Sequence, residues 1–131
     1  MSDSYDRMVT ALQQVVVPAL RGRGFSGSFP HFRRLASDHI DLITFQFDKW
    51  GGGFIAEIAK CPLEGVRMPW GKEIAPGKVT AHHVNERLRL GSSSVGSDHW
   101  FRFDSGKAYD RVAAEVLSLL DSQAEPWWRA A

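Results

Sequence analysis

The sequence has few of the residues on which a specific chemistry is built. Cys61 is the one cysteine among 131 residues, so no internal disulfide can form and neither a Cys-x-x-Cys metal site nor a dithiol redox pair exists. Neither sign of charge dominates. Sixteen Lys and Arg against 15 Asp and Glu leave a net charge of +1, too little for a general field that gathers nucleic acid or an anionic membrane surface. No apolar run approaches the roughly 20 residues that span a bilayer, and Met1-Ser2-Asp3-Ser4 lacks the basic-then-apolar layout of a signal peptide. These absences lead us to expect a cytosolic protein that associates with neither membrane nor nucleic acid.

Catalytic and metal-binding spacings are equally scarce. His-x-x-x-His and Glu-x-x-His do not occur. His82 and His83 are adjacent, so their rings diverge on a strand or a helix alike, and sharing one ion would need a third ligand folded toward them. They read as a partly exposed pair, and no metal is expected. Cys61, ahead of Pro62, reads as a small buried residue rather than a catalytic thiol, which would need a histidine or a helix N-terminus beside it. Ser92-Ser93-Ser94 between Gly91 and Gly96 matches neither a phosphate loop nor a nucleophile elbow and reads as a solvated loop. No cofactor is implied.

Apolar residues, by contrast, suffice for a core. With 44% hydrophobic residues, one domain over residues 1–131 can bury roughly 65–70% of its unfolded surface. Tyr5, Met8, Val9, Leu12, Val15, Val16, Ala19 and Leu20 recur at helical spacing and predict an amphipathic helix over about residues 4–21. Ser2 or Ser4 would cap it, Gly22 and Gly24 would stop it, and Pro18 would bend it. From residue 28 the period falls to 2 and predicts strands over about 28–36, 39–48 and 53–60, the last two joined by a hairpin at Trp50-Gly51-Gly52-Gly53. Prolines and glycines break every pattern over residues 61–97, which read as irregular with a strand or short helix inside Val79 to Leu90. A strand over about 98–104 follows. A helix over about 106–121, capped by Asp104 or Ser105 and ended by Pro126, completes the order, leaving Trp127-Trp128 as an aromatic tail. Strands grouped between terminal helices imply an α+β fold, in which an antiparallel sheet of four or more strands is covered on one face by the N-terminal and C-terminal helices. The other face is left open or crossed by a loop.

Arginines and aromatics are what this architecture leaves unassigned. Arg33, Arg34, Arg87, Arg89 and Arg102 fall on predicted strands or their ends. If the strands are neighbours, Arg33, Arg87 and Arg102 join Trp70 and Trp100 in a basic, aromatic face suited to a phosphate, an acidic protein surface or single-stranded nucleic acid. Trp50 would stand exposed at its hairpin tip. These six, Arg33, Trp50, Trp70, Arg87, Trp100 and Arg102, are the candidate binding residues. The competing arrangement pairs the arginines with Asp38, Asp41, Glu57, Glu86 and Asp104 across strands. Asp41 and Glu57, acids in apolar strands, read as sheet-edge residues or as the lining of a polar pocket.

The order of short motifs is informative as a set: Pro18-Ala19-Leu20 with Gly24-Phe25, Phe32-Arg33-Arg34, Ile43-Thr44-Phe45-Gln46 with Trp50, Arg87-Leu88-Arg89-Leu90-Gly91, and Asp98-His99-Trp100-Phe101. Over roughly residues 5–120 it resembles the bacterial domain-of-unknown-function family 4304. The resemblance implies a small bacterial α+β protein with no cofactor and no catalytic residues to carry over. Some members resemble components of toxin and immunity systems, which implies a protein that binds another protein. The function expected is therefore a non-catalytic protein-binding module of toxin-immunity type. One alternative is a small-ligand or nucleotide-binding domain using the open sheet face, with Trp70, Trp100 and arginines in its pocket. A second is a cofactor-free enzyme built on Glu57, His83 or Asp41. An exposed edge strand and the terminal tryptophans add a homodimer to the expected partners.

Overall fold

The computed structural model describes residues 3–93, 97–104 and 108–130. Helix α1 runs Asp3–Gly22 and passes through Pro18. It buries Met8, Ala11, Leu12, Val16 and Leu20, the stripe that the helical spacing predicts. Ser4 lies inside its first turn rather than at its cap, and Ser2 lies outside the described residues. The helix closes where Gly24, at φ +94°, takes a left-handed turn that only glycine adopts cheaply, so that the Phe25 N–H reaches back to the Leu20 carbonyl at 3.0 Å.

The strands are β1 (Ser26–Ser28), β2 (His31–Leu35), β3 (Ile40–Phe47), β4 (Gly53–Cys61), β5 (Val66–Arg67), β6 (Glu73–Ile74), β7 (Arg87–Arg89) and β8 (Phe101–Arg102). The main sheet is antiparallel and ordered β1-β2-β3-β4-β7, with β8 also on β4; β5 and β6 form a separate hairpin. Three expectations need correction. The strand expected over 28–36 is divided by a turn at Phe29-Pro30, because proline has no N–H to give to the ladder. The strand expected over 98–104 shrinks to the two residues of β8. Residues 61–97 are not simply irregular, since they contain β5, β6, a 3-10 turn at Ala81–His83 and β7, elements too short to impose a period on the sequence.

Helix α2 spans Tyr109–Leu119, widens into a π-turn over Leu120–Ala124, and continues as α3, Glu125–Arg129. Its N-cap is Ala108, not Asp104, and Ser105 lies outside the described residues. Pro126 does not end the helix. It sits in the first turn of α3, where a missing N–H costs nothing. Trp128 is accordingly no tail: it is fully buried, and its indole N–H donates to the Ala59 carbonyl at 3.2 Å.

One face of the sheet carries the main core, where Ile43, Phe45, Phe54, Ile58 and Leu88 meet the apolar stripes of α1 and α2 together with Trp128. At the edge of this face Arg34 is held between two carboxylates, Asp41 at 2.8 Å and Glu125 at 2.9 Å. Its guanidinium lies over the rings of Phe25 and Trp128, so charge and stacking together fasten α3 to the sheet. The opposite face is half covered. Ile40, Leu42, Ala59 and Cys61 are roofed by Val79, Ala81 and Val84 from the segment between β6 and β7. Arg33 secures that roof by donating to the carbonyls of Gly77 and of Val79, the latter at 2.9 Å.

Candidate functional site

Beyond the roof, the strand register aligns a polar row on the face that no helix covers. His31 of β2 opposes Thr44 of β3, Thr44 opposes Glu57 of β4, and Glu57 opposes Arg89 of β7. All four project to one side because side chains alternate along a strand. His82 of the 3-10 turn folds over this row and places Nδ1 3.3 Å from a Glu57 oxygen. The Nε atoms of Arg87 and Arg89 lie 3.9 and 3.5 Å from the same carboxylate. Glu57 is therefore a buried carboxylate of a central strand, enclosed by His82 and the two arginines, and is not the sheet-edge residue that its sequence context suggested. Burial alone would push its carboxyl up, but the hydrogen bond from His82 and the charges of Arg87 and Arg89 hold it below the usual carboxylate range.

The two histidines have distinct hydrogen-bond roles. The Thr44 hydroxyl is buried, accepts the Ala81 N–H at 3.2 Å, and lies 3.2 Å from His31 Nδ1. Which of the two donates is set by the tautomer of the His31 ring. Burial first, then the charges of His82, Arg33 and His83, push the pKa of His31 below the ordinary histidine value, which favours the neutral ring. His82 donates from Nδ1 to an ionised Glu57, which leaves Nε2 as its second polar atom. His83 is turned inward, where its Nδ1 accepts the Thr80 N–H at 2.9 Å.

His31 and His82 line one end of a groove of about 1140 Å³, with Thr44 and Gln46 on its floor. The groove continues past Asp48 and Lys49 to Trp50 at the β3–β4 turn, and Tyr5, Phe29 and Phe47 form its apolar side. Thr44, Gln46 and Asp48 are alternate residues of one strand direction, so the floor runs for about 13 Å. Trp50 is 84% exposed. The turn beneath it uses Gly51 and Gly52 at φ +90° and +81°, a conformation that L side chains resist.

The six residues proposed from sequence are not gathered in one place. Trp50 alone among them lines this groove. Arg33 and Arg87 share a cross-strand row, separated by Leu42 and Ala59, and both are occupied within the fold, Arg33 by the roof and Arg87 by Glu57 and the His82 carbonyl at 3.3 Å. Arg102 sits at the far end of β4 beside Asp104, 3.5 Å away. Trp70 is 72% exposed at the turn of the β5–β6 hairpin, and Trp100 is half-buried ahead of β8. Cross-strand pairing of arginines is found at Asp41 and Glu57, whereas Arg102 meets Asp104 within its own segment, and Asp38 and Glu86 lie beside His39 and Lys60. Sequence reasoning missed His31, Thr44, Gln46 and His82 as a set. Their alternation on β2 and β3 was visible, but the turn that brings His82 onto them lies in the stretch without periodicity.

Comparison with known proteins returns one finding. The family model of DUF4304, described as a domain of unknown function, matches residues 16–130. No curated protein and no solved structure matches the chain.

Proposed function

The chain belongs to DUF4304, and from that premise we propose that it is a non-catalytic protein-binding module whose recognition surface is the groove between His82 and Trp50. The observation that carries this reading is Trp50, a large apolar ring left 84% exposed on the wall of the groove. It stands on a turn whose glycines and whose bond from the Trp50 N–H to Asp48, at 3.0 Å, set its position. Exposed tryptophans on rigid scaffolds are the residues most enriched among interface hot spots. Trp70 is nearly as exposed but does not line this groove. The size of the groove also favours a polypeptide. At about 1140 Å³ it exceeds the roughly 300–1,000 Å³ typical of small-molecule sites, and it is an open channel along a strand.

A photo-crosslinking side chain at position 50, with position 70 as control, tests the reading in extract of the native host. One discrete protein adduct formed at 50 and not at 70 is the expected result. Equal, diffuse labelling from both positions would contradict it. A tightly held metabolite in the purified protein, with no adduct, would favour a small-ligand site instead.

A further inference from the structure

One wall of the groove is a length of strand paired on a single side. β4 pairs with β3 over its whole length, Ile40–Phe47, whereas β2 covers only Ile40 to Thr44. β2 begins after the Phe29-Pro30 turn, and β1, which precedes that turn, lies on the far side of β2. The last bond on this side is from the Phe45 N–H to the Pro30 carbonyl, at 3.0 Å, and proline has no N–H to return it. Successive residues of an antiparallel strand turn their backbone groups to opposite neighbours. The Asp48 N–H donates to the Gly53 carbonyl on the β4 side, at 2.9 Å, so Phe47 turns its N–H and C=O the other way, as Phe45 does. Among the described residues no strand pairs with Phe47 there.

Resting on the reading of the groove as a recognition surface, we propose that an extended segment of the partner adds as a strand beside Phe47 and continues the antiparallel ladder that β2 breaks off. An unpaired strand edge is a ready template for another chain, and strand addition takes affinity from backbone bonds and specificity from alternate side chains. This edge lies inside the groove that Trp50 also lines. A residue directly opposite Phe47 shares its face of the sheet. It meets the aromatic side of the groove, where the Tyr5 and Phe29 rings lie 4.8 and 6.4 Å from the Phe47 ring, which calls for an apolar side chain. Its two neighbours turn to the other face, beside Gln46 and Asp48, where Gln46 is exposed on the floor. The charged side chains of the lining, Asp48, Lys49 and Asp104, nearly balance, so backbone pairing and apolar contact rather than charge select the occupant. The segment is thus an extended one with an apolar residue between polar, uncharged neighbours.

The probe is acetyl-Thr-Thr-Leu-Thr-Thr-amide, with a counterpart N-methylated at the leucine amide, each titrated into the intact chain and followed through its backbone amide signals. The first peptide should shift the Phe47 amide and slow its hydrogen exchange, while the Phe45 amide, already bonded to Pro30, changes little. The methylated peptide cannot donate to the Phe47 carbonyl and should bind about fivefold to tenfold more weakly. Only the peptide differs between the two titrations, so no folding defect can mimic the result. Equal affinities would overturn strand addition while leaving the groove as a binding surface. Binding without any change at Phe47, or no binding of either peptide at millimolar concentration, would overturn the inference outright. The crosslinking experiment at position 50 decides the broader reading independently.

Discussion

The two faces of the sheet both bury a carboxylate among arginines, yet they use it differently. On the helix side Asp41 and Glu125 enclose Arg34, Arg23 joins Glu125 at 3.2 Å, and aromatic rings cover the guanidinium. That cluster joins α3 to the sheet. On the other side Glu57 gathers His82, Arg87 and Arg89, but His82 and the neighbouring His31 line an open groove. The first cluster is closed by the fold and the second is left with polar atoms toward solvent. Similar chemistry thus joins a helix to the sheet on one face and lies beside an open groove on the other.

The largest losses of stability are expected on the helix side. Trp128→Ala removes the largest fully buried side chain and should cost roughly 3–5 kcal/mol in denaturant unfolding. Arg34→Met should cost about 3 kcal/mol, because Asp41 and Glu125 lose the cation they share and keep only His39 and Arg23 beside them. On the groove side Glu57→Gln should cost less, about 1–2 kcal/mol, since the arginines it frees remain near water. The pH dependence sharpens this. The carboxyls of Glu57 and Glu125 are held low in the fold despite burial, by His82, Arg87 and Arg89 in one case and by Arg34 and Arg23 in the other. Their contribution is therefore present above the ordinary glutamate range and lost as pH falls through the folded values. Glu57→Gln should flatten the acid limb of the stability curve.

The smallest effect separates the histidines. Burial alone would lower His39, but hydrogen bonds from its ring to Asp38 and Asp41 raise it above the ordinary value, so its contribution is present below that value and lost as pH rises through the folded one. His31 is lowered, so protonating it in acid opposes folding. Titration of the ring protons by NMR should place His39 above and His31 below the ordinary histidine pKa of about 6.5. Coincident curves would contradict the contrast between the faces.

What could be read from the sequence follows the length of each element. The stripe of α1, the alternation of β3 and β4, and the stripe of α2 were legible because each repeats its period several times. Together they were enough to give the α+β arrangement of the sheet with helices on one face. The 3-10 turn carrying His82 and the short strand β7 hold three residues each and leave no period to detect. Trp127 and Trp128 looked like a tail because Pro126 normally stops a helix, whereas a π-turn and a new first turn accommodate it here. The site was legible only at Trp50, where a glycine run announced the hairpin. Its polar half depends on a fold-back that local sequence does not encode.

The most direct test is amide hydrogen exchange on the complex with the protein captured at position 50. Added protection at residues 44–50 and 81–83, with none at 34–39 or 125–130, is the predicted pattern. Protection confined to the Arg34 edge, leaving the groove unchanged, would contradict the proposal that the groove is the recognition surface.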